Sequence, residues 1–228
     1  MTEVSFAVLG LLLVWGTAVG LDLVSVPQGL LSRPLISASV AGWLVGDLET
    51  GLRVGAILEL FALDVLPVGA SRYPEYGPAA IGGVLLAAGL PKWDGVGVGA
   101  LLGLLVAMLA GYSLEWLRHA NARDVHRHSA ELDGGSTAVI RRLQWSGLAR
   151  DAVRSSAVTA VALTLAWLAR AQLDGAVRMP TYLTPVLVGV GLAAALSGAL
   201  RTAGRGRRLA WLGVGLAAGV VLAVVVTA

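Results

Sequence analysis

At 228 residues, 57% hydrophobic and only 14% charged, with a mean hydropathy of +0.79, the chain has the composition of an integral membrane protein. It contains no cysteine, which excludes a disulfide framework, a thiolate metal site and cysteine-based covalent chemistry. The net charge of +3 conceals an asymmetry: residues 1–117 hold four basic and nine acidic side chains, residues 118–228 thirteen basic and five acidic.

Val4 to Leu21 is an uncharged run long enough for a tilted span. A cleaved signal peptide would open with basic residues, whereas Thr2-Glu3 precede this run, so a mature helix is expected. Asp22 closes it, and Val26-Pro27-Gln28-Gly29 reads as a turn or helix break.

Two apolar runs follow, Pro34–Gly46 and Leu52–Leu63, separated by the acidic turn Asp47-Leu48-Glu49-Thr50-Gly51. A helix of about 13 residues rises about 20 Å, against about 30 Å of hydrocarbon, so neither run spans comfortably alone. Short, Gly- and Pro-interrupted segments meeting at an acidic turn are expected to form re-entrant or broken helices beside a binding site. Gly42 with Gly46 and Gly51 with Gly55 are small-xxx-small pairs suited to close helix packing.

The Val65–Pro78 stretch is rich in turn residues, and its Arg72, Tyr73, Glu75 and Tyr76 suit either a surface loop or the lining of a polar cavity. Tyr76–Leu90 is a further short apolar segment, ending at Pro91-Lys92-Trp93-Asp94, where Trp93 reads as an interface anchor. Gly95, Gly97 and Gly99 open the span Gly95–Leu114; with no preceding strand they are a packing feature and not a nucleotide loop.

Residues 118–154 form the one hydrophilic segment, expected as a basic cytoplasmic loop by the positive-inside rule, with a short surface helix around Trp145 and Leu148. Its arginines read as a topology signal and not as a nucleic-acid surface. His119, His126 and His128 all fall here, without a further ligand at metal-site spacing, and outside the spans where they would ligate haem. Three more spans are expected: Ala152–Ala169 with Arg154 snorkelling at its end, Thr181–Leu200 kinked by Pro185, and Leu209–Ala228. The fold class is therefore an all-α, polytopic membrane domain over 1–228, with a core at 4–117 containing re-entrant elements, the polar loop, and three helices in 155–228.

Glu59 is the charge a bilayer resists most, at roughly 2.5 kcal/mol or more on insertion scales. Three readings stand side by side. It pairs structurally with Arg33 or Arg53, it is a proton or cation site, or it holds a polar ligand together with Asp47, Glu49 or Asp64. A carboxylate accepts hydrogen bonds from adjacent hydroxyls, which suits a sugar, and Trp43, Tyr73 and Tyr76 offer rings for stacking on one.

Arg33-Pro34-Leu35, Val45-Gly46-Asp47-Leu48-Glu49-Thr50-Gly51, Gly55-Ala56-Ile57-Leu58-Glu59-Leu60 and Pro74-Glu75, in this order, resemble the IIC membrane component of the mannose/fructose/sorbose family of bacterial sugar phosphotransferase systems. The resemblance is strongest over about residues 20–85, and the last third matches in hydropathy alone. It implies a sugar-translocating subunit of the bacterial cytoplasmic membrane, partnered by a membrane subunit IID. Sugar bound within the membrane would be phosphorylated from cytoplasmic IIA and IIB carriers. By this resemblance Asp47 and Glu59 are polar contacts of the translocation core and Arg33 is structural or at the site's edge, while the chain needs no nucleophile, metal or cofactor of its own. The chain departs from the pattern in being short at its C-terminal end, in the extra charge of Arg53 and in Leu66-Pro67. A stand-alone proton-coupled transporter and a non-transporting scaffold or sensor are the other function classes open at this level.

Overall fold

The acidic turn expected at Asp47–Gly51 does separate two helices of a hairpin, but the reversal falls at residues 45–47 and Leu48–Gly51 form the first turn of the second helix. In the computed structural model, which describes residues 4–65, 72–173, 181–202 and a few positions between 206 and 217, α2 (Pro34–Leu44) opens on a proline and α3 (Leu48–Ala62) on an Asp47 cap. Proline suits a first helical position because its missing N–H would be unpaired there anyway. Gly46 takes a φ of +79°, which lets the chain reverse, and the Asp47 amide donates to the Gly42 carbonyl at 2.8 Å. Asp47 then accepts from the Thr50 amide at 3.1 Å and the Thr50 hydroxyl at 2.7 Å. The helices are 11 and 15 residues long, or about 17 and 22 Å, short of a full crossing as expected.

The two expected small-residue pairs work differently from how they read. Gly42 of α2 packs directly on Gly51 of α3, where a Cβ on Gly42 would lie 2.8 Å from the Gly51 Cα. Gly55 abuts Pro34, Leu35 and Ala38, whereas Gly46 is a turn glycine with open space around it.

The first three helices, α5 (Lys92–Arg127) and α7 (Thr137–Leu173) surround α4 (Tyr76–Ala87), all twelve of whose residues are buried. α1 (Phe6–Val24), α5 and α7 are long and apolar enough to cross a membrane, and α8 (Leu183–Thr202) packs on α3 and α5. α4 approaches α5 closely at Gly83, where a Cβ would lie 2.5 Å from the Gly99 carbonyl oxygen. The Gly95, Gly97 and Gly99 series is thus a packing surface, with Gly97 against Thr184 of α8. α4 stops at Ala87 rather than Leu90, because Ala88 turns extended and Gly89 takes a φ of +83°.

The 118–154 segment is not a loop. α5 runs on to Arg127, a short α6 (Ser129–Asp133) follows, and α7 begins at Thr137, so the polar stretch is a helical hairpin turning at Gly134-Gly135. Helices of 36 and 37 residues rise about 55 Å, well beyond about 30 Å of hydrocarbon, so both project past the apolar region. Low hydropathy marked the segment as polar, yet its Ala, Arg, Leu and Glu are strong helix formers. Arg150 of α7 holds the two arms together, donating to Asn121 at 3.0 Å and pairing with Asp124 of α5. Trp145 and Leu148 belong to α7 itself. His119 and His128 place Nδ1 2.9 Å from the carbonyls of Glu115 and Asp124, one turn back.

Pro185 does not kink α8; it lies in the first turn, where its lack of an N–H leaves no bond broken. Leu66-Pro67, most of Leu209–Ala228 and the Trp93 side chain lie outside the described residues.

Candidate functional site

The end of α1, the turn that follows it, the end of α3, the strand-like entry to α4 and Arg118 of α5 line a cavity of about 480 Å³ that is open on one side. That size is within the range of small-molecule sites. Its polar lining includes Asp22, Gln28, Arg33, Tyr73, Tyr76 and Arg118. Arg118 donates to the Tyr73 hydroxyl, and its guanidinium carbon lies 4.7 Å from the Tyr73 ring centroid.

Of the residues singled out from sequence, Arg33, Tyr73 and Tyr76 line this cavity. Glu59 stands behind Arg33: Arg33 Nε donates to Glu59 Oε1 at 2.6 Å, and the Leu35 amide donates to Oε2 at 3.1 Å. Glu59 therefore joins α3 to the N-terminus of α2, where unpaired amides and the helix dipole favour a carboxylate. Of the three readings of Glu59, this geometry matches the structural pair with Arg33. Arg53 instead pairs with Glu49 on the exposed face of α3, one turn apart.

Asp47 and Glu49 do not join Glu59 at one site. They occupy the opposite end of α3, and the twelve residues from Asp47 to Glu59 correspond to about 18 Å of helix. Asp64 accepts from Ser197 of α8 at 3.2 Å and so ties the turn after α3 to α8.

Glu75 belongs to a second, fully buried cluster. Arg154 does not snorkel; it lies inside the bundle, 6% exposed, between two carboxylates that are 0% exposed, Glu75 and Asp151. Its guanidinium forms a two-pronged pair with Glu75, one prong at 3.0 Å, and donates through Nε and Nη2 to Asp151 Oδ1 at 3.0 and 2.9 Å. Ser113 accepts its fifth proton at 3.1 Å, and Ser155, 3.2 Å from Nη2, shares a proton with the carboxylates. Ser25 donates to Asp151 Oδ2 at 2.5 Å, connecting the cluster to the turn after α1. A guanidinium saturated in this way is stable at depth, whereas a snorkelling one would leave both carboxylates unpaired. Sequence reasoning missed this network and Asp22, Gln28 and Arg118. The available signal was Asp151, Arg154 and Ser155 at i, i+3 and i+4, one polar stripe entering an otherwise apolar helix.

Asp22 is likewise buried, at 2% exposure. It does not merely end α1: its carboxylate accepts the Gly29 amide at 2.5 Å and the Ser32 amide at 2.8 Å. The turn bordering the cavity is thereby anchored to the helix before it.

Residues 6–196 match the family described as the PTS system sorbose-specific IIC component. The chain is 37% identical over 75 residues to the PTS system sorbose-specific EIIC component of Klebsiella pneumoniae, covering 33% of this chain and 27% of that one. It is 29% identical over 133 residues to the PTS system mannose-specific EIIC component of Escherichia coli K12, covering 58% and 49%. The fructose permease IIC component of Bacillus subtilis is 27% identical over 128 residues, covering 56% and 46%. The aligned stretches thus span about half or less of these relatives. A chain in the cryo-EM structure of the mannose transporter ManYZ in complex with microcin E492 shares the fold, with a TM-score of 0.62 at 22% identity over 98% of this chain and 96% of that one. With the family match running across most of its length and three helices suited to crossing a bilayer, this chain is a multi-pass membrane protein of the PTS sorbose-type IIC family.

Proposed function

We propose that the chain is the sugar-conducting IIC subunit of a phosphotransferase-type permease, binding a hexose in the cavity between α1, α3, α4 and α5. The observation that carries this reading is the cavity itself, about 480 Å³ with arginine, glutamine and two tyrosines on its wall, inside the stretch matched by the family. Planar donors and acceptors beside aromatic rings are what hydroxyl-rich rings require. The subunit acts with a IID membrane partner in the bacterial cytoplasmic membrane, and the basic α5–α7 hairpin faces the cytoplasm. Phosphoryl transfer to the sugar is the work of the IIA and IIB carriers, and this chain supplies binding and passage.

Glu59, held by Arg33 and the Leu35 amide, serves in this reading as an anchor for the α2–α3 hairpin behind the cavity and not as a travelling proton site. Filling the cavity is the direct test. Val24→Trp, on the cavity wall, is expected to lower hexose uptake by the assembled permease at least tenfold. Val14→Trp, on the exposed face of the same helix, is expected to leave it within twofold of wild type. Equal uptake by the two variants would remove this cavity from the account.

A further inference from the structure

The turn from Ser25 to Ser32 is held at both ends by buried carboxylates. Ser25 donates to Asp151, while Gly29 and Ser32 donate their amides to Asp22. Between those anchors the backbone adopts left-handed conformations at two residues with side chains, Gln28 at φ +59° and Leu30 at φ +69°. Such conformations are uncommon for residues other than glycine and persist only where surrounding contacts enforce them. Here they are enforced by two buried carboxylates, Asp22 at 2% and Asp151 at 0% exposure. The result is that Gln28 and Leu30 both border the cavity. Gln28 is exposed, and its amide makes no hydrogen bond to any described residue, unlike the neighbouring Arg33 and Tyr73, which are engaged by Glu59 and Arg118.

We propose that Gln28 is the residue that reads the sugar's hydroxyl configuration, and that Asp22 is the positioning residue that presents it. The inference rests on the reading of the cavity as a hexose site and adds to it the element that selects among hexoses. A carboxamide offers an N–H donor and a carbonyl acceptor about two bonds apart, a pairing that matches two neighbouring hydroxyls in one relative configuration and mismatches it when one carbon is inverted. Discrimination of this kind is large because an epimer leaves the amide unpaired in the site. Leu30 provides the apolar surface beside it, against which the C–H face of a pyranose packs. Asp22 touches no sugar in this scheme; it fixes the turn, so its loss lowers affinity through Gln28.

The experiment measures equilibrium binding of radiolabelled hexose to the full-length chain with its membrane partner in lipid nanodiscs, competed by glucose, mannose, galactose, fructose and sorbose. Gln28→Ala, a change at an exposed side chain, is expected to leave the melting temperature unchanged. It should weaken the preferred hexose about tenfold or more and collapse the ratios between epimers to within about threefold. Asp22→Asn is expected to weaken the same hexose and to compress the same ratios, and the double variant to be no worse than Gln28→Ala alone. A wild-type protein that discriminates epimers, together with a Gln28→Ala protein whose ratios are unchanged, would overturn the assignment while leaving the cavity reading standing. Uniform weakening of every sugar would overturn it as well, because that is what a merely structural role produces. A wild-type protein that binds none of the five would instead overturn the hexose reading, and the Gln28 role with it.

Discussion

Arg154→Leu is expected to leave little folded protein. The substitution strands two carboxylates, Glu75 and Asp151, each 0% exposed, inside the helix bundle with no cation between them. Removing one partner from a buried ion pair costs about 3–5 kcal/mol, because the remaining charge keeps its desolvation penalty and loses its compensation. Against a total folding stability of about 5–15 kcal/mol, that loss is decisive. Detergent-solubilised protein should melt well below wild type and elute as aggregate in size-exclusion chromatography. Adding Glu75→Gln and Asp151→Asn to Arg154→Leu removes the orphaned charges and is expected to recover much of the folded fraction. An Arg154→Leu protein with the melting temperature of wild type would mean that the cluster is not buried as described.

Gly51→Val is the second large effect. A Cβ on Gly51 would sit 2.5 Å from the Ala38 carbonyl oxygen and 2.9 Å from the Gly42 Cα, and both obstacles are backbone, which cannot rotate away. Overpacking of a close contact costs about 1–3 kcal/mol even where side chains yield, and here the two helices of the hairpin must separate. The variant is expected to lose thermal stability and to expose the α2–α3 hairpin to limited proteolysis. Gly10→Val provides the comparison, since nothing lies within 4 Å of a Cβ at Gly10, and it is expected to melt with wild type. If the two variants melted together, the Gly42–Gly51 contact would not be what closes the hairpin.

Much of this architecture was legible in the chain because it follows from local chemistry. Pro34 at the head of one apolar run and the acidic residues before the next marked the hairpin. Gly46, however, read as one of a packing pair and the turn as reaching Gly51, whereas Gly46 makes the reversal and Asp47 caps a helix that begins at Leu48. The glycine series of α5 was recognisable as a packing surface. What depends on distant partners was not legible. Glu59 drew attention as an isolated intramembrane carboxylate, and its pairing with Arg33 was one of several options until the hairpin placed them side by side. Arg154 looked like a residue at a helix end because the polar stretch before it looked like a loop. Once that stretch is helix, Arg154 lies in mid-helix and its partners come from 79 residues away and from one turn back. Asp47 and Glu59 share a segment of sequence, but the continuous helix between them holds them at opposite ends. The cavity, too, is assembled from four separate parts of the chain, so Asp22, Gln28 and Arg118 gave no local signal of their shared surface.

Passage of a hexose through this chain as one subunit of a phosphorylating permease is tested most directly by transport. Uptake of radiolabelled hexose should be followed in cells lacking their own hexose permeases and expressing the chain with and without the IID, IIA and IIB components. Labelled sugar phosphate is expected to accumulate only when all the components are present, and to be lost when Val24→Trp occludes the cavity. Accumulation of free sugar by this chain alone, or of sugar phosphate without it, would contradict the account.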